Sequence, residues 1–152
     1  MKKIVLIIVG IIAIGLIVVI AKNSIFTDSD TQFYEDGWEA HGKKQYELAI
    51  FYFERINKDK YPDAFMGLGS SYLELNDYEN AILNFEKAVR NKDKYSPEDN
   101  GKIQNSLGYC YLQTKNFNKA KQHLLEADQL GNPNSKRNLQ ILDSLETASI
   151  NR

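Results

Sequence analysis

The chain has 152 residues, a formal net charge of −1 and a single cysteine, so it has room for one modest domain. Without Lys2 and Lys3 the remainder carries 17 basic and 20 acidic residues, which leaves no electrostatic case for nucleic acid. One thiol excludes an intrachain disulfide and a cysteine-rich metal site.

The chain opens on a different material from the rest. Ile4 to Ala21 is a run of 18 apolar or glycine residues, interrupted only by Gly10 and Gly15. As a helix it would span roughly 27 Å, close to the hydrocarbon core of a bilayer. Lys2 and Lys3 before it, against Lys22 alone after it, put residues 1–3 in the cytoplasm and the rest on the outer side, periplasmic or extracellular. The alternative is a signal peptide cleaved near Ala21, which would release a secreted protein; the run is longer than the usual apolar region of such peptides. Residues 22–29, KNSIFTDS, read as a short polar stalk.

Beyond the stalk the chain repeats itself. Residues 68–88 and 107–127, 39 positions apart, share Leu68/Leu107, Gly69/Gly108, Tyr72/Tyr111, Leu73/Leu112, Ala81/Ala120 and Ala88/Ala127. Within the first of these, Leu68, Tyr72 and Leu75 recur at helical spacing. Leu75-Asn76-Asp77 breaks the pattern, and Ala81, Ile82, Phe85, Ala88 and Val89 resume it. The unit is therefore helix, tight turn, antiparallel helix, with Gly69 and Ala81 small so that the two helices can pass closely. A weaker copy lies 32 residues upstream, matching Gly37 to Gly69, Tyr46 to Tyr78, Ala49 to Ala81 and Phe53 to Phe85. Its first helix has Asp36 where the others have leucine, as befits a terminal unit with no neighbour on one side. Pro62, Pro97 and Pro133 all fall between units. Residues 96–100 read as a longer inter-repeat loop, with Ser96 as a helix cap before Pro97. Leu139, Leu142 and Leu145 form one stripe of a capping helix over 135–149.

The small residues and the aromatic at Tyr46, Tyr78 and Phe117 resemble the tetratricopeptide repeat (TPR) family, whose unit is about 34 residues long. The resemblance implies units at 30–61, 62–95 and 101–134, in an all-α fold of three helical hairpins stacked as a short right-handed solenoid. It also implies a concave groove, lined by the first helix of each hairpin, that holds a peptide or protein segment. The groove positions fall on Tyr34, Trp38 and His41, then Asp63, Met66, Ser70, Leu73 and Glu74, then Lys102, Asn105, Tyr109, Leu112 and Gln113. The competing reading of Tyr34 and Trp38 is that they pack on neighbouring helices. The family's clamp for a C-terminal carboxylate is not expected, because its places hold Tyr34, Trp38, Gly67 and Ser106, with only Lys102 matching.

No constellation for catalysis emerges. Ser70 and Ser71 have no base placed to activate them, His41 and His123 belong to different units, and there is no phosphate-binding glycine loop. Cys110 falls where helices pack and reads as a buried thiol. The expected function is a membrane-tethered adaptor with a protein partner and no cofactor, metal or small-molecule substrate. A structural role through the convex face or self-association, with the aromatic-rich AIFYFERI at 49–56 as the interface, is the alternative.

Overall fold

The computed structural model describes residues 29–150, together with Ile12. The segment 1–3 expected in the cytoplasm, the apolar run 4–21 expected to span a membrane and most of the expected stalk otherwise lie outside the described residues. Among the described residues no helix is long and apolar enough to cross a membrane.

Among the described residues from Ser29 on, seven helices follow one another: α1 (Ser29–Gly42), α2 (Tyr46–Arg55), α3 (Ala64–Glu74), α4 (Tyr78–Arg90), α5 (Pro97–Gln113), α6 (Phe117–Gln129) and α7 (Ser135–Ile150). A single 3₁₀ turn, Lys92–Lys94, lies between α4 and α5. The helices pair as hairpins α1/α2, α3/α4 and α5/α6, and each hairpin stacks on the next, with α7 against α6.

The hairpin turns share one geometry. Lys44, Asn76 and Lys115 each sit at φ 60, in the left-handed region. Behind them the chain closes back on the helix end: the Asp77 amide donates to the Tyr72 carbonyl at 2.9 Å, Gln45 to Ala40 at 2.9 Å and Asn116 to Tyr111 at 2.8 Å. These bonds satisfy carbonyls that would otherwise be orphaned at the helix C-terminus. The next helix is then capped from the same turn, with Asp77 accepting from the Asn80 amide at 3.2 Å and Asn116 from that of Lys119 at 3.4 Å.

Glycines and aromatics fit the helices together. The Phe53 ring of α2 is fully buried between Gly37 of α1 and Gly67 of α3. A Cβ on Gly37 would lie 2.7 Å from that ring, and one on Gly67 would lie 2.6 Å from it. Gly69 gives the same room to Phe85, and Gly108 to Leu124. The small positions therefore accept a large side chain of the partner helix as much as they bring backbones together. Ala40, Ala49, Phe53, Ile56, Ala64 and Leu68 form one core; a larger one gathers Phe85, Ile103, Leu107, Leu124 and Leu142.

Two differences from the sequence reading stand out. Residues 97–100 are not loop but the first turn of α5, which runs 17 residues. Ser96 caps it as expected, its Oγ accepting from the Asp99 amide at 3.1 Å, and Pro97 follows at a position that needs no amide hydrogen. The wider spacing is thus absorbed largely by an extra helical turn and the 3₁₀ turn. Second, α7 is more than a lid. Ser135, Leu139 and Leu142 stand 32 residues after Ile103, Leu107 and Cys110 and pack the same way. The helix therefore behaves as the first helix of a fourth unit. At the other end of the described residues, Gln32, Glu35, Asp36 and Glu39 replace the buried Ala64, Gly67, Leu68 and Ser71 of α3, and they give α1 a polar outer face.

Candidate functional site

The residues expected to line the groove divide into two groups. Tyr34, Trp38 and His41 are spent on docking the first hairpin. The Tyr34 hydroxyl donates to the Asp63 carboxylate, and its ring stacks on Tyr61 at 4.8 Å. Burial first, and then the Asp63 charge, pushes the Tyr34 phenol up to about 12. Trp38 meets Phe53 edge-on at 5.1 Å, with its indole nitrogen buried and without an acceptor among the described residues. His41 Nδ1 lies 3.0 Å from Ser71 Oγ. That hydroxyl donates its own hydrogen to the Gly67 carbonyl at 2.8 Å, so the histidine is the donor between them. Burial holds the imidazole below its usual range. Tyr46 adds a bond to Glu74 at 3.1 Å. The first hairpin is thus tied to α3 by Tyr34–Asp63, His41–Ser71 and Tyr46–Glu74, which is the packing role the sequence reading weighed against the groove.

In the second group, Leu112 is only 3% exposed and belongs to the core. Its neighbours turn it inward at the end of α5, and it has almost no surface to offer a ligand. Met66 is half-buried against the larger core and Ser70 is half-buried on α3. Leu73, Asn105 and Tyr109 do converge. They line one open cavity of about 340 Å³ together with Ser106 of α5, Asn134 just before α7, and Arg137 and Asn138 of α7. Asn138 Nδ2 donates to Asn105 Oδ1 at 2.9 Å, which sets the wall between α5 and α7. Tyr109 leans edge-on toward Tyr78, ring centres 6.5 Å apart. The Arg137 guanidinium makes no ion pair or hydrogen bond among the described residues.

The arrangement offers an aliphatic floor, an aromatic side, a set of amides and one cation. Amides present both donors and acceptors, which suits a backbone more than a bare ion. Sequence reasoning missed the α7 residues. The signal was there in the register: Arg137 and Ile141 stand 32 residues after Asn105 and Tyr109, at the same groove positions.

A second polar network lies away from the cavity. Tyr111 donates to Glu86 at 2.5 Å, and Lys119 reaches the Tyr111 hydroxyl at 3.0 Å and Glu86 at 3.4 Å. The Tyr111 bond holds the Glu86 carboxyl below its usual range. His123 stacks on Tyr111 at 5.5 Å and bonds the buried Gln104 at 2.7 Å, and burial lowers its imidazole too. These bonds tie α4, α5 and α6 together. The Cys110 thiol is fully buried and pushed up to about 12 by that burial.

Among the described residues no group of three or more histidines, cysteines and carboxylates is placed to hold a metal ion. Compared with known proteins, residues 40–96 and 66–135 match the model of a family described as tetratricopeptide repeat. No curated protein matches the chain. The matched segments run from Ala40, near the end of α1, to Ser135, at the start of α7, which is more than half of the 152 residues. The chain therefore belongs to the tetratricopeptide repeat family, whose repeats generally mediate protein–protein interaction and are typically non-catalytic scaffolds.

Proposed function

We propose that the protein is a membrane-tethered adaptor of bacterial type, which holds an extended segment of a partner protein on the face formed by α3, α5 and α7. The observation that carries the reading is the convergence of Leu73, Asn105 and Tyr109 with Asn134, Arg137 and Asn138 around one open cavity. Tyr and Arg are the side chains that most often anchor protein contacts, and the amides can pair with a partner's backbone. The apolar run 4–21 supports the tether and the outer-side location. Fixing the repeats beside a membrane raises their effective concentration toward other membrane proteins. The proposed site is short, a half-groove, because the first hairpin's aromatics are engaged in docking.

The second reading, a structural subunit that associates through the convex side, is favoured by one observation. Phe51 and Leu83, at equivalent positions of α2 and α4, are 45% and 47% exposed. Partner capture from intact membranes separates the two. On the first reading Tyr109→Ala with Arg137→Ala abolishes capture and Phe51→Ser with Leu83→Ser leaves it unchanged. The reverse pattern supports the second reading and removes the first.

A further inference from the structure

The side of the first hairpin that no other described helix covers carries an aromatic patch that the groove reading does not use. Phe33 and Tyr52 meet across α1 and α2, ring centres 5.9 Å apart. Phe51 packs edge-on against Tyr52 at 5.5 Å and remains 45% exposed. The Arg55 guanidinium lies 3.4 Å over the Phe51 ring. Because α2 runs antiparallel to α1, its last turn returns beside the first turn of α1, so the whole patch sits at the Ser29 end of the hairpin.

The charges along this side are graded. At the Ser29 end Lys58 faces both Asp30 and Glu54, so the aromatics lie in near-neutral surroundings with Arg55 among them. Toward the far end of α1 the same side presents Asp36 and Glu39, the latter paired with Lys43. An aromatic, arginine-bearing end and a charged, ion-paired end is the polarity of a surface that dips one edge into an interface and keeps the other in water.

The length of chain beyond the described helices says where that edge can go. Eight residue steps separate Ala21, the end of the apolar run, from Ser29. Fully extended they reach about 28 Å, and Phe33 lies only about 6 Å further along α1. With the run 4–21 in a bilayer, the patch is held within reach of the headgroups.

We infer that the Phe33–Phe51–Tyr52 face of the first hairpin rests in the interfacial zone of the bilayer that carries the anchor, so that the solenoid stands on the membrane by its first hairpin and presents the α5/α7 cavity away from it. Aromatic rings and arginine stems are at home at that depth, with the apolar body inward and the polar end in water. This rests on the tethered reading above.

The full-length chain in phosphatidylcholine vesicles provides the test. A fluorophore is attached at Gln32→Cys, an exposed residue of the first turn of α1, or at Glu79→Cys at the opposite end of the hairpins. Spin-labelled lipids carrying the quencher at headgroup depth should quench the Gln32 label and leave the Glu79 label bright. Phe51→Glu should abolish the difference while the protein still floats with the vesicles. Floating vesicles with an unquenched Gln32 label overturn the inference and leave the tether intact. A chain that does not float overturns the tether and the inference with it. Self-quenching between Gln32 labels, without quenching by lipid, assigns the patch to a second copy of the chain and overturns the inference as well.

Discussion

Gly67→Ala adds one methyl group to a helix, a change that stabilises an open helix by about 1 kcal/mol. In α3 the new Cβ would stand 2.6 Å from Cε2 and Cζ of Phe53. Carbon atoms settle at about 3.5 Å or more, so the ring must give by about 0.9 Å. It has nowhere to go. Its other edge already faces Gly37, where a Cβ would lie 2.7 Å away, and Trp38 meets it edge-on at 5.1 Å. Overpacking of a closed site costs about 1–3 kcal/mol, and a ring held on both sides belongs at the upper end. After the helix gain is subtracted, Gly67→Ala should destabilise the protein by about 2 kcal/mol, a fall in Tm of about 8 °C for a folded part of this size. Gly42→Ala is the control, because nothing lies within 4 Å of its Cβ. It should be neutral or slightly stabilising. The emission of Trp38, the chain's only tryptophan, reports melting at this joint. Phe53→Leu should cost less in the Gly67→Ala protein than alone, since it removes the atoms that clash. The reasoning is refuted if Gly67→Ala and Gly42→Ala shift Tm in the same direction, or if Phe53→Leu costs the same in both backgrounds.

Lys115→Gly should stabilise the protein by about 0.5–1 kcal/mol, because the left-handed conformation at φ 60 strains a lysine and not a glycine; a lowered urea midpoint would show that the turn is not strained. Burial holds both histidines below their usual range, so the unfolded chain takes up protons more readily than the folded chain as pH falls below about 6.5. Stability should therefore decline from pH 7 to 5.5, before the carboxylates titrate, and the decline should flatten in the His41→Gln, His123→Gln protein; an unchanged slope would place its source elsewhere. Cys110 should react with a thiol reagent only at the rate at which the protein opens, and labelling faster than hydrogen exchange in α5 would contradict its burial. Asp77→Ala should cost about 1 kcal/mol through the lost cap on α4, measured by the same urea midpoint.

The hairpins were legible because one helical unit cannot bury its apolar face alone, and the recurrence of Gly69/Gly108 and Ala81/Ala120 records the need for a neighbour. The turns were less legible. The usual mark of a left-handed helix end is glycine, and Lys44, Asn76 and Lys115 stand there instead. The site was partly legible. The positions expected to line a groove recur from unit to unit, and three of them, Leu73, Asn105 and Tyr109, line one cavity. They fail in the first unit because Tyr61 and Asp63, in the connection to α3, capture Tyr34, and such a contact across units leaves no periodic trace. They fail at Leu112, which is 3% exposed and belongs to the larger core. Leucines spaced to seat a lid would also seat a wall, and only the register against Ile103 and Leu107 tells them apart.

Site-specific photocrosslinking of the full-length protein in intact cells tests the central claim most directly. A photoreactive residue is placed in turn at Tyr109, at Ile141 and at Leu83. The account predicts one discrete adduct shared by Tyr109 and Ile141, which lie on the α5/α7 face, and its absence at Leu83. It is contradicted by an adduct that forms at Leu83 while Tyr109 and Ile141 stay unreacted, which would put the partner on the opposite side of the stack.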